Sequence, residues 1–173
     1  MVLSLGVVLA VVAVVFLITL RETPEAVTVV DATPVVELVG LNAPFAAVTP
    51  EPIEGWRITS ARVSQPGEDP FRWHLGYYTP DGRYAAAGQS DGSQRSYLED
   101  ERAGGAEAGT VRIDGRTWTV LERADGERRS LVLSSDGVTT LITGTGDVDE
   151  LTVLAKALKP VAGTPATPPP TSG

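Results

Sequence analysis

The chain has one histidine, His74, and no cysteine among its 173 residues, so reactive chemistry would fall to hydroxyls, carboxylates and arginines. His74 lies in Phe71-Arg72-Trp73-His74-Leu75-Gly76-Tyr77-Tyr78. Strand alternation would put Phe71, Trp73, Leu75 and Tyr77 on one face and Arg72, His74 and Tyr78 on the other. A histidine on a polar face beside a cation suits hydrogen bonding or contact with a ligand. It does not suit zinc, because no cysteine or second histidine can complete the ligand set. Arg72, His74 and Tyr78, with Gln89 nearby, are therefore the candidate binding residues.

Gly88-Gln89-Ser90-Asp91-Gly92 matches G-x-S-x-G, the nucleophile elbow of serine hydrolases. That architecture places its histidine after the serine, and no histidine follows Ser90. Ser90 reads better as a strand end or helix cap. Gly144-Thr145-Gly146 is half a dinucleotide fingerprint, but Asp147, Asp149 and Glu150 crowd the place where a pyrophosphate needs bare amides. The same three acids lack the spacing of a calcium loop and read as helix caps. No catalytic residue, metal site or cofactor follows from these motifs. Trp56, Trp73 and Trp118 read as core or sheet-packing residues, with an aromatic floor for a ligand as the alternative.

The elements that position these residues are legible in patches. Strands are expected near 56–64, 70–79 and 83–90, with Pro80-Asp81-Gly82 turning between the second and third. Ser93 to Ala103 reads as a short helix capped by Ser93 and ended by Gly104-Gly105. Asp-Gly pairs at 114–115, 125–126 and 136–137 recur every eleven residues between β-rich runs, which predicts a four-stranded antiparallel meander. Residues 147–159 read as a helix capped by Asp147 and stopped by Pro160. Its Leu151, Leu154, Ala155 and Leu158 form one apolar stripe. The expected fold is α+β: an N-terminal transmembrane helix, then an antiparallel sheet of about six or seven strands with the C-terminal helix packed on one face. The other face would be covered by the 93–103 helix or by a helix in the connector.

Composition divides the chain further. Residues 1–20 (MVLSLGVVLAVVAVVFLITL) carry no charge and, at 1.5 Å rise per residue, would span about 30 Å as a helix, the thickness of a hydrocarbon core. No small-x-small cleavage site follows before Arg21-Glu22-Thr23-Pro24. This predicts a single-pass anchor in the cytoplasmic membrane, with the N-terminus inside and the domain outside. The absence of a basic flank before it raises an upstream start as an expectation. Residues 21–52 read as an acidic, proline-containing connector, with a helix starting at Thr33-Pro34. Residues 53–159 would be the folded domain, and 160–173 a disordered Pro/Thr-rich tail. The net charge of −8 excludes a basic nucleic-acid binder.

Several of these residues, in order, resemble an uncharacterised actinobacterial family, domain of unknown function 4245. They are MVLSL at the start, Gly55-Trp56, Trp73 to Gly82 (WHLGYYTPDG), Gln89-Ser90, and Val111 to Gly115 with Trp118. They continue with Arg129 to Val132, Thr143-Gly144-Thr145 and the closing helix from Glu150 to Leu158. The resemblance implies a membrane anchor and an extracytoplasmic domain, and no known activity, cofactor or catalytic residue. Members carry a short basic stretch before the anchor, which this chain lacks. The functional expectation is a non-enzymatic binding or interaction module whose protein or small-ligand partner the sequence does not name. One alternative is a carrier of a lipid or other apolar ligand between sheet and helix. The other is a hydrolase using Ser90.

Overall fold

The computed structural model describes residues 29–165. The predicted anchor, 1–20, lies outside them, and among the described residues no helix is long and apolar enough to cross a membrane. Seven strands form one antiparallel sheet: β2 (Arg57–Val63), β3 (Arg72–Tyr78), β4 (Tyr84–Ser90), β5 (Ala106–Ile113), β6 (Arg116–Glu122), β7 (Arg129–Ser135) and β8 (Val138–Gly144). Their order is β2-β3-β4-β8-β7-β6-β5, so two meanders meet where β4 pairs with β8.

Turn chemistry builds the second meander as the Asp-Gly spacing predicts. Asp114-Gly115 and Asp136-Gly137 both take positive φ at each residue, the two-residue hairpin geometry that glycine and aspartate tolerate. At Asp125-Gly126 only the glycine does so. There the loop is longer and closes through the Arg123 N–H to the Arg128 carbonyl.

The sheet has two apolar faces, each covered differently. On one, Trp73, Leu75, Tyr77, Ala87, Trp118, Val120, Leu131 and Ile142 pack under two helices, α1 (Thr33–Asn42) and α3 (Val148–Lys156). The same core takes in Phe45 and Ala47. The two-stranded arm of β1 (Val48–Pro50) and β9 (Leu158–Pro160) lies beside them. On the other face, Val132 and Leu141 pack under α2 (Gln94–Asp100) through Tyr97, Leu98 and Ala103. Topology explains that cover. β4 is central and β5 is the far edge, so the chain between them must cross β8, β7 and β6, roughly 19 Å at the usual strand spacing. It crosses the face that α1 and α3 leave free.

Three expectations about boundaries need correction. Residues 29–52 are not a connector: Val39, Phe45 and Ala47 are buried in the main core, and β1 pairs with β9. A connector reading missed them because their partners are distant in sequence, from Phe71 against Phe45 to Pro160 against Val48. The C-terminal helix ends at Lys156, and Pro160 belongs to strand β9 rather than stopping a helix. The first part of the expected tail is attached as well. The Val161 N–H bonds the Ala47 carbonyl, and the Thr164 hydroxyl accepts from the Ala47 N–H. Residues 166–173 lie outside the described residues.

Capping follows the sequence closely. Asp147 accepts from the Glu150 N–H at 2.9 Å to start α3, and Ser93 accepts from the Ser96 N–H at 3.2 Å to start α2. Helix α1 instead uses Asp31, which accepts from the Thr33 N–H at 2.9 Å. Helix α2 ends not at Gly104-Gly105 but earlier, where Arg102 takes φ 52° and the Ala103 N–H returns to the Leu98 carbonyl.

Candidate functional site

The alternation read from 71–78 holds: Phe71, Trp73, Leu75 and Tyr77 share the α1/α3 face and Arg72 and His74 the α2 face. Yet the four candidate binding residues do not form one surface. Gln89 pairs with Trp73 across β3 and β4, so it lies on the face opposite His74. It is buried, and both ends of its amide are engaged. Oε1 accepts from the Val48 N–H at 2.9 Å and from Trp73 Nε1 at 3.1 Å, while Nε2 donates to Thr140 Oγ1 at 3.0 Å. Gln89 thus clamps β1 to the sheet. Tyr78 lies roughly 20 Å along the strand from Arg72, under the Arg57 guanidinium.

His74 is also not a surface residue; it is 6% exposed. Its Nδ1 lies 2.8 Å from Glu101 Oε2, just past the end of α2, and its Nε2 lies 3.3 Å from the Tyr84 hydroxyl. Arg72, two residues away on the same face, reaches Asp100 at 2.8 Å. Two adjacent acids at the end of α2 are therefore held by two residues of β3. Burial would raise the Glu101 carboxyl, but the His74 hydrogen bond and charge, with Arg62 and Arg72, outweigh it and leave the group below its ordinary value. A cleft of about 320 Å³ opens beside this cluster, with Arg62 and Glu68 on its walls. Both ring nitrogens of His74 are already occupied, so the cluster works as a staple between helix and sheet.

Ser90 is likewise committed. Its Oγ accepts from the Gly92 N–H at 3.1 Å, closing a tight turn at the end of β4. The Asp147, Asp149 and Glu150 group is a cap with an added cation: Arg83 lies 3.4 Å from Glu150, 3.9 Å from Asp147 and 3.1 Å from Asp81. No group of three metal-ligating side chains occurs among the described residues.

A larger and more apolar cleft than the one beside His74 lies elsewhere. A cleft of about 480 Å³ lies between α1 and the β2–β3 edge of the sheet. Ile58, Leu75 and Tyr77 make its floor, Val36 lines the helix side, and Ile53 and Trp56 line the opposite side. Trp73 and Trp118 are buried as expected, but Trp56 is only half-buried. Its ring meets that of Tyr77 edge-on, 6.0 Å between centroids and 69° between planes. Helix α1 is attached at both ends: before its start Ala32 is buried and the Val30 N–H bonds the Ile58 carbonyl of β2. Val39 and Ala43 are buried near its C-terminus, and Gly40 is packed so closely that a Cβ would come within 2.8 Å of the Ala162 carbonyl. Pro50 and Pro52 stiffen the opposing wall.

The sequence offered a ligand space between sheet and helix only as an alternative and did not say which helix would wall it. It missed α1 as a wall because residues 21–52 read as a connector. The signal that could have found it is Gly55-Trp56 behind Pro50 and Pro52, a tryptophan that no strand period needs to bury.

No curated protein and no solved structure matches the chain. One family model does match, over residues 1–158, which takes in both faces of the sheet and the apolar cleft, and the chain belongs to that family, described as a protein of unknown function (DUF4245).

Proposed function

We propose that the protein is anchored in the cytoplasmic membrane by residues 1–20, with its N-terminus inside, and that its folded domain works outside as a non-enzymatic binding module. Its ligand site is the cleft between α1 and the β2–β3 edge. One observation carries this reading: a preformed, mostly apolar cleft of about 480 Å³ with an aromatic pair in its lining. That volume falls within the roughly 300–1,000 Å³ usual for small-molecule sites. The non-enzymatic part is supported by the engagement of the reactive groups, Ser90 in a turn and His74 between Glu101 and Tyr84. The anchor is supported by the charge-free run at 1–20.

The binding reading is tested by purifying the full chain from its own membrane and identifying co-purified small molecules by mass spectrometry. Wild type is compared with Val36→Trp, which fills the cleft. An apolar molecule present with wild type and lost with Val36→Trp supports the reading; identical molecules with both, or none with either, contradict it. The orientation has its own test, since the chain lacks cysteine. Ser134→Cys in intact cells should react with a membrane-impermeant maleimide. Reaction only after lysis would reverse the orientation.

A further inference from the structure

We infer that the cleft takes a proline-rich extended segment, and that its resident occupant is the chain's own 166–173, held there until a tighter ligand displaces it; the inference rests on the binding reading above. The segment reads ATPPPTSG and continues directly from Pro165. The place where it leaves the fold carries the argument, because the residues before it are moored between the two walls of the cleft. The Val161 N–H bonds the Ala47 carbonyl at 2.9 Å. The Thr164 hydroxyl accepts from the Ala47 N–H at 3.3 Å and donates to the Val161 carbonyl at 2.9 Å. Ala47 lies just before Thr49, where one wall of the cleft begins. On the other side, Ala162 and Gly163 pack against Gly40 so closely that a Cβ on either glycine would come within 2.8 Å of a carbonyl oxygen of the other segment. Gly40 stands on the same stripe of α1 as the cleft-lining Thr33, Val36 and Glu37, at i, i+3, i+4 and i+7. The chain therefore leaves the fold at one end of the groove, between its walls.

Length and chemistry agree with that exit. From Gly40 back to Asp31 the helix side of the groove runs roughly 14 Å. The segment 166–173 reaches about 25 Å as polyproline II, more than enough to follow it. Pro168, Pro169 and Pro170 would fall about 9–16 Å beyond Pro165, alongside the cleft. Polyproline II leaves its carbonyls free and loses little freedom on docking, and aromatic-lined grooves are its usual receptors. The cleft has that lining: Trp56 and Tyr77 meet edge-on at 6.0 Å beside Ile58 and Leu75. Trp56 is half-buried, so part of its ring is open to a proline ring. The segment has no acidic side chain for Asp31, Glu37 and Glu51 at the cleft to repel. Segment and cleft belong to one chain, so the effective concentration is about millimolar, and a contact too weak to hold a free peptide still fills the cleft.

The test uses the full chain in nanodiscs of neutral phosphatidylcholine, with spin labels on two introduced cysteines, since the chain has none of its own. One is Glu54→Cys, exposed beside the cleft, and the other is Thr171→Cys. Pulsed dipolar spectroscopy should give a single narrow distance peak that survives dilution with unlabelled chain. Pro168→Ser, Pro169→Ser and Pro170→Ser together should spread it into a broad distribution. The same triple substitution should raise the amount of apolar molecule co-purified from the native membrane by about two- to tenfold, because the competing segment is gone. A broad distribution before substitution, a narrow peak that survives it, or an unchanged co-purified amount would overturn the tail assignment and leave the binding reading intact. A peak lost on dilution would give the cleft to the tail of a second copy and overturn the assignment within one chain. A narrow peak that depends on the prolines, with no apolar molecule from either protein, would remove the small-molecule reading and leave the tail in its place.

Discussion

The two faces of the sheet are covered unequally, by α1, α3 and the β1–β9 arm on one side and by α2 alone on the other. On the α2 face a short helix is pinned by its last acids, gripped by Arg72 and His74, beside a polar cleft. The α1/α3 face carries most of the core yet leaves an apolar cleft between α1 and the β2–β3 edge. A polar cluster is thus spent on fixing a helix, and an apolar surface is left unfilled. The usual search for function, which begins with histidines and charges, leads to the α2 face here. The difference teaches that a side chain with reactive chemistry signals a site only when its valences are free.

The largest effect should come from the sealed part of the α1/α3 face. Leu154, fully buried on the inner face of α3, should cost about 2–5 kcal/mol when cut to alanine, seen as a lower midpoint in denaturant. Loss of under about 1 kcal/mol would mean that α3 is not docked as described.

Much of that packing was readable in the sequence, and the reason is locality. The Leu151–Leu154–Ala155 stripe, the Asp147 and Ser93 caps and two of the Asp-Gly turns depend on residues within a few positions of one another. The alternation within 71–78 was readable for the same reason. Gln89 was not, because its face depends on which residue of β3 it opposes, and a single step of register reverses that. The α1 wall and the β1–β9 arm were hidden by separation, since Val48 meets Pro160 only in the folded chain. The cleft was hidden with them.

The next effect sets the faces directly against each other. His74→Ala leaves the Glu101 carboxylate without its partner and should cost about 2–3 kcal/mol, discounted from a fully buried pair because Glu101 retains some exposure. Trp56→Ala, at the half-buried wall of the cleft, should cost only about 1 kcal/mol but abolish co-purification of the apolar molecule. Thermal melts and co-purification on the same pair of variants check both halves. Loss of the co-purified molecule in His74→Ala with an intact fold would break the contrast.

Gly88→Ala should cost about 1–3 kcal/mol, since an added Cβ would come within 2.6 Å of the Trp73 carbonyl and against the Tyr97 hydroxyl. Adding Tyr97→Phe should recover part of the loss, because that hydroxyl is buried without a partner. No recovery in the double variant would show that the Trp73 backbone contact decides the cost.

The smallest effect is in acid. The Glu101 pKa is lowered in the folded protein, so its stabilisation is fully present above the ordinary value of 4.5 and is lost as pH falls through the folded pKa. Glu101→Gln should therefore flatten the dependence of stability on pH below about 4.5, and leave its slope near neutrality unchanged. An unchanged acid limb would mean that the His74 contact adds nothing to Glu101.

The contrast between the faces comes down to where a ligand sits. A photoreactive benzoylphenylalanine at Ile53, in the cleft, and at Ser96, on α2, can be compared in the full chain within its own membrane. Crosslinking to a small apolar molecule at position 53 and not at position 96 is the predicted result; the same adduct at 96, or none at 53, would contradict it.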